Sequence, residues 1–232
     1  ARTIADAALL AMIATLGLSL LSHQIGVVLA QLAFVSLAFY GIAALPYHPR
    51  YSLLALVVGL MGLTLSGAPS FAVLLAAGSG LLCLLDHQST DARTARRHAL
   101  ALLLMGLAAA VLATALDVWQ WRLQTLPEDW LQWRSLLRLM LWFTWPVWPL
   151  VLWTLWRWRH HWWSLRWSRH LMLPLWLALL VGVTTVATPS PERTLLLALP
   201  ALACLAAFAL PTLRDRKSTR LNSSHVKRSR MP

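Results

Sequence analysis

Apolar residues run along this chain in nearly unbroken blocks, separated by short polar or proline-containing stretches. The blocks are about 17–22 residues long, roughly what a helix needs to cross ~30 Å of hydrocarbon. A backbone in lipid must satisfy its own amides, so blocks of this kind predict helices. A transmembrane barrel would show strict alternation of polar and apolar residues, and none is present. The pattern predicts an all-α fold, a polytopic transmembrane helix bundle of about eight spans. The first runs from Ile4 to Leu21, and Ser22-His23-Gln24 turns the chain into the second, Ile25 to Leu45. Pro46-Tyr47-His48-Pro49-Arg50 reads as a loop, because two close prolines do not continue a helix.

The third block, Ser52 to Ser66, is short and meets the fourth, Ser70 to Leu85, through Gly67-Ala68-Pro69. These two form either a tight hairpin that crosses fully or a re-entrant pair. Gly59, Gly62, Gly78 and Gly80 permit close helix contact. A polar stretch from Asp86 to His98 precedes the fifth block, Ala99 to Leu116. The longest polar segment of the apolar region follows, Asp117 to Arg134. The sixth block, Leu136 to Trp156, contains Pro146 and Pro149, which predict a kink or break. An Arg/Trp/His loop, Arg157 to His170, leads to the seventh, Leu171 to Ala187. Thr188 to Arg193 turns the chain into the eighth, Leu195 to Leu213.

Composition sharpens this picture. The chain is 59% hydrophobic and 12% charged, against about 45–50% and about 25% for soluble domains. All 14 tryptophans lie between Trp119 and Trp176. Indole is apolar with one N–H donor and settles where hydrocarbon meets headgroups. Cys83 and Cys204 sit inside apolar blocks and read as buried free thiols.

The formal charge of +12 is partly a property of the last residues. Both lysines, Lys217 and Lys227, and the single asparagine, Asn222, fall after Arg214. The segment from Asp215 to Pro232 resembles a translated sequencing adapter. Two regions are therefore expected: a membrane-embedded helical region over 1–214, truncated at both ends, and a non-native tail over 215–232. Without that tail the charge drops to +7, since 215–232 holds six basic residues and one acid. No nucleic-acid partner is then implied.

Charge placement predicts orientation. Alternate loops hold Arg50; Arg93, Arg96 and Arg97; Arg157, Arg159, Arg166 and Arg169; and Arg214. The opposite set holds only Arg122, Arg134 and Arg193, nine against three. The positive-inside rule places the first set in the cytoplasm and the 117–134 loop outside.

That outer loop is the strongest candidate surface. Arg122 and Arg134, with Arg138 just beyond, stand among Trp119, Trp121, Trp130 and Trp133. A guanidinium can pair with a lipid phosphate while indole packs on the chain below it. The competing reading is an interfacial amphipathic helix with scattered ion pairs, Arg138 reaching to the surface. Glu128 and Asp129 are adjacent, so on a helix they diverge and make a poor acid/base pair. After Pro127 they read as a helix start, with acid in the first turn. His23 is a candidate polar contact at the outer mouth, or simply a turn residue. Gln31 reads as an interhelical hydrogen-bond donor. His160, His161 and His170 join a basic headgroup-binding patch and lack the partners for a metal site. Phosphate loop, nucleophile elbow, zinc and redox motifs are absent from the sequence, and no catalytic residue is assigned.

The run Trp142 to Arg159, with Leu199-Pro200-Ala201-Leu202-Ala203 and Ala207-Phe208-Ala209-Leu210-Pro211-Thr212-Leu213-Arg214, resembles bacterial polytopic glycosyltransferases. These are GT-C type enzymes related to the lipid A aminoarabinose transferase and the protein O-mannosyltransferases. Ile4 to Leu10, His23 and Leu29-Ala30-Gln31-Leu32-Ala33 look like the middle of the same proteins, so the resemblance covers 1–214. It implies transfer of a sugar from a polyprenyl-phosphate donor to an acceptor, at the outer face of a bacterial cytoplasmic (inner) membrane. It also implies an acidic residue in a large external loop N-terminal to this stretch, which therefore lacks the catalytic loop. Gln24 stands where the resemblance leads one to expect an acid. The expected partners are membrane lipid and the polyprenyl-phosphate sugar donor; the sequence does not name a cofactor or a metal requirement. The alternative is a multi-span transporter or another non-enzymatic membrane protein, whose ionisable or broken-helix sites would lie near the bilayer midplane.

Overall fold

The computed structural model describes residues 2–21, 26–85, 92–119, 129–163, 169–188 and 190–209. All regular structure among them is helical: α1 (Arg2–Ile13), α2 (Leu16–Leu21), α3 (Val27–Ala44), α4 (Pro49–Leu65), α5 (Pro69–Leu85), α6 (Ala92–Ala115), α7 (Trp130–Phe143), α8 (Val147–Trp163), α9 (Arg169–Ala187), α10 (Pro191–Leu196) and α11 (Leu199–Ala207). The expected 215–232 tail lies outside the described residues.

Proline starts helices here more than it ends them. Pro49, Pro69 and Pro191 each occupy the first helical position, where a missing N–H costs nothing and φ is already set. The predicted loop at 46–50 is therefore shorter than expected, and Arg50 lies in the first turn of α4.

The third and fourth blocks form a tight hairpin. Gly67 turns it at φ +87°, and the Ala68 N–H donates to the Leu63 carbonyl at 3.0 Å. Gln31 Nε2 donates to the Ser66 carbonyl at 2.8 Å, tying α3 to the end of α4, as its place in the second block predicts. The small residues do allow close approach. A Cβ on Gly59 would lie 2.7 Å from the Ala38 nitrogen, and one on Gly62 would collide with the Phe34 ring. One on Gly78 would collide with the Trp176 indole of α9, and one on Gly80 would stand 3.3 Å from the Ala99 carbonyl of α6.

The main core joins α3, α4, α5, α6 and α9 through Val35, Ile42, Leu56, Leu60, Leu75, Leu102 and Leu177, all buried. α11 packs on α1, α8 and α9, with Leu205 and Ala206 against Val147, Val151 and Leu171. The fully described buried polar residues are serines and threonines. Most turn their hydroxyls onto their own helix: Ser52 to His48, Thr64 to Leu60 and Thr185 to Val181. Thr154 Oγ1 bonds to the Leu150 carbonyl and also crosses to the Leu205 carbonyl of α11 at 2.9 Å.

The outer surface is apolar as well. Leu54 of α4, Leu107 of α6, and Leu179 and Val183 of α9 are 58–65% exposed. A helix that is apolar on every side suits lipid, not water. α3 and α6 are long and apolar enough to cross a membrane; α7 and α8 pass together but are bent by 94°. α4, α5 and the apolar part of α9 are shorter apolar helices.

Three predicted blocks are broken. The first divides at Ala14–Thr15 and the eighth at Leu197–Ala198. The sixth does not start at Leu136: its first half belongs to a helix that begins at Trp130, inside the expected loop, and stops at Phe143. The break falls at Thr144–Pro146, before α8, while Pro149 is absorbed in its first turn. Two of the breaks meet. The Leu16 N–H donates to the Trp145 carbonyl at 3.1 Å, and the Phe143 ring lies where Gly17 has no side chain.

Candidate functional site

The site is built on α7. Asp129 is its N-cap in extended backbone, and its carbonyl accepts from the Gln132 and Trp133 amides. The helix start expected at Pro127 falls three residues later, at Trp130. The acid precedes the first turn instead of lying within it. Glu128 and Pro127 fall outside the described residues.

α7 separates its two faces sharply. Leu139, Met140 and Phe143 turn inward, onto Leu195, Leu196 and Leu199 of α10 and α11 and onto Leu18 of α2. The other face is open. Trp130, Leu131, Arg134, Ser135, Leu137, Arg138, Leu141 and Trp142 line a shallow groove of about 740 Å³. Leu141 and Trp142 also border an apolar pocket of about 400 Å³ completed by Trp145 and Trp148. Trp145 and Trp148 stand with ring centroids 6.3 Å apart, tilted by 55°.

Arg134 and Arg138 are both exposed and one helical turn apart. That spacing puts their Cβ atoms ~5–6 Å from each other on one face. Two guanidinium forks so placed match a single phosphate or two neighbouring anionic oxygens. The adjoining tryptophan pocket suits hydrocarbon. Groove and pocket are continuous through Leu141 and Trp142.

The lining contains no His, Asp, Glu, Cys or Lys. Arg134 and Arg138 are the charged groups among the described lining residues. Of the predicted contacts, Arg134 and Arg138 come together; Arg122 and His23 lie outside the described residues. The side chains of His160, His161 and His170 lie outside them too. The pocket's three tryptophans went unassigned in the sequence. Their spacing, 142, 145 and 148, was the available signal, but the helix break between them removes the regularity that would have placed them on one wall.

A second aromatic cluster lies further along α8. Trp153 and Trp156 have centroids 5.7 Å apart, and the Arg159 guanidinium sits 4.7 Å above the Trp156 ring. No protein family, curated protein or solved structure matches the chain.

Proposed function

We propose that this chain is the lipid-embedded part of a membrane protein that holds an anionic isoprenoid lipid, and that its parent is a polytopic glycosyltransferase. The observation that carries the lipid part is the continuity of the Arg134/Arg138 groove with the Trp142/Trp145/Trp148 pocket. Phosphate on the arginines leaves the first isoprene units against indole. The sugar-transfer part draws on the sequence resemblance, which supplies the donor as polyprenyl-phosphate sugar and the setting as the outer face of a bacterial inner membrane.

In this reading all eight apolar blocks lie in the bilayer. α4 and α5, at 17 residues each, rise about 25 Å, within reach of a crossing with slight bilayer thinning. Their exposed leucines and valines face lipid. With α8 along the membrane normal, the 94° bend lays α7 in the interfacial plane. Its arginines then sit at headgroup level and its inward face rests on the bundle.

The transporter alternative draws on the broken helices, since such breaks often expose backbone to an ion. Here the joint closes on itself. Leu16 and Trp145 pair their backbone groups, and the buried Thr15 and Thr144 hydroxyls bond to Met12 and Met140 carbonyls. These partners at the joint favour the lipid-holding reading.

The test uses the full chain in nanodiscs with polyprenyl phosphate as probe and intrinsic tryptophan fluorescence as readout. The Arg122→Gln/Arg134→Gln/Arg138→Gln variant should bind at least about tenfold more weakly, because charge-assisted hydrogen bonds contribute about 1.5–3 kcal/mol each. Binding of the uncharged polyprenol should not change. Equal phosphate affinity in wild type and triple variant would overturn the assignment.

A further inference from the structure

α6 presents two opposed faces. Ala95, Ala99, Leu102, Gly106, Ala109 and Ala113 are buried and follow one another at helical spacing. They are mostly small, so α6 lies close on α5: a Cβ added at Gly106 would stand 3.2 Å from the Ala76 Cβ. The opposite face begins with Arg93, Arg96 and Arg97, all exposed, and continues through Leu100, Leu103, Leu104, Leu107 and Val111, exposed by 44–61%. At 100° per residue these eight positions share one stripe of about 120°. The Arg97-to-Val111 stretch rises about 21 Å, which exceeds the ~15 Å depth of one leaflet's hydrocarbon.

An arginine cluster that passes directly into an apolar strip along the same helix face has one natural occupant. We infer that the outer face of α6 is a binding site for an anionic phospholipid, its phosphate on Arg93, Arg96 and Arg97 and an acyl chain along Leu100 to Val111. Guanidinium groups prefer phosphate oxygens in a bidentate fork, and zwitterionic lipid offers the same phosphate with its charge cancelled. A second copy of the chain is a poor occupant, because a two-fold contact through α6 in parallel would set three arginines against three. Among the described residues the carboxylates, Asp6, Asp117, Asp129 and Glu192, belong to α1, the stretch just after α6, the start of α7, and α10; Asp86 and Asp91, which precede α6 in sequence, lie outside the described residues. By charge distribution α6 begins on the cytoplasmic side, opposite α7, so this lipid occupies the other leaflet and is not the α7 ligand.

The inference rests on the membrane-embedded reading. The experiment reconstitutes the full chain into phosphatidylcholine vesicles with trace spin-labelled phosphatidylglycerol or spin-labelled phosphatidylcholine. It measures the motionally restricted fraction of each. Wild type should prefer phosphatidylglycerol by about tenfold, set by about a fivefold gain per neutralised interfacial charge less screening. The Arg93→Gln/Arg96→Gln/Arg97→Gln variant should fall to near parity, and the Arg→Lys triple should keep most of the preference. Arg134→Gln/Arg138→Gln should remove only the share that the α7 groove adds, and combining it with the α6 triple should abolish the preference. A wild-type chain that inserts without anionic preference overturns this site and leaves the α7 reading untouched. So does a preference that survives loss of the three charges. A chain that fails to enter vesicles overturns both.

Discussion

The packing of α3 against α4 makes a quantitative prediction at Gly59. Its absent side chain lets the helices approach until a Cβ there would be 2.7 Å from the Ala38 nitrogen and 2.9 Å from the Ala38 Cα and Cβ. Ordinary contact starts at 3.4 Å, so Gly59→Ala needs about 0.7 Å more room. The obstructing atoms are backbone, which no rotamer change can move. The helices must separate, and Val35, Ile42, Leu56 and Leu60, all buried between them or nearby, lose contact. A gap of 0.5–1 Å forfeits roughly a quarter to a half of each ~0.1–0.2 kcal/mol contact. Over on the order of 40–60 contacts this comes to about 2–3 kcal/mol, in line with measured overpacking costs of about 1–3 kcal/mol. Alanine's better helix propensity returns about 1 kcal/mol. The net expectation is destabilisation by about 1–2 kcal/mol. Gly182→Ala is the matched control, because nothing lies within 4 Å of its Cβ; it keeps the propensity gain and has no clash. Reversible SDS unfolding of the full chain in mixed micelles, followed by tryptophan emission, measures both. If Gly59→Ala proves as stable as Gly182→Ala, the close α3–α4 approach is wrong.

Other expectations follow from the joints between helices. Phe143→Ala removes the ring that fills the space over Gly17; it should cost about 3–4 kcal/mol and increase protease cleavage near α7. Thr154→Val removes the hydroxyl shared between Leu150 and Leu205 and should cost about 0.6–1.7 kcal/mol in the same SDS titration. Gln31→Leu breaks the tie to the Ser66 carbonyl; a loss near about 0.6 kcal/mol is expected, with no change in lipid binding. Trp145→Ala opens the wall of the tryptophan pocket and should weaken polyprenyl phosphate binding while sparing a short-chain alkyl phosphate, as isothermal titration would show.

The helical class and the position of most helices were legible in the amino-acid order. Apolar blocks of membrane length leave the backbone no other way to satisfy its amides. The hairpin at Gly67 and the bond from Gln31 were legible too, since a glycine before Ala-Pro and a lone amide in an apolar block admit few roles. The approach of Gly59, Gly62 and Gly78 to neighbouring helices was legible as a capacity, though not as a choice of partner.

Tertiary structure alone decided where the blocks break and what the breaks build. A run such as Leu136 to Trp156 is equally apolar whether it crosses straight or turns through 94°, because hydropathy measures length and composition, not direction. The turn at Thr144–Pro146 holds because the chain finds a partner there: the Trp145 carbonyl meets the Leu16 amide, and Phe143 finds the gap at Gly17. Those residues are more than a hundred positions apart, so no local pattern contains the information. The same turn swings Arg134 and Arg138 out along one helix and brings Trp142, Trp145 and Trp148 around a single pocket. Residue types mark this stretch as apolar and aromatic with arginines beside it; only packing between distant segments gives it a groove and a pocket.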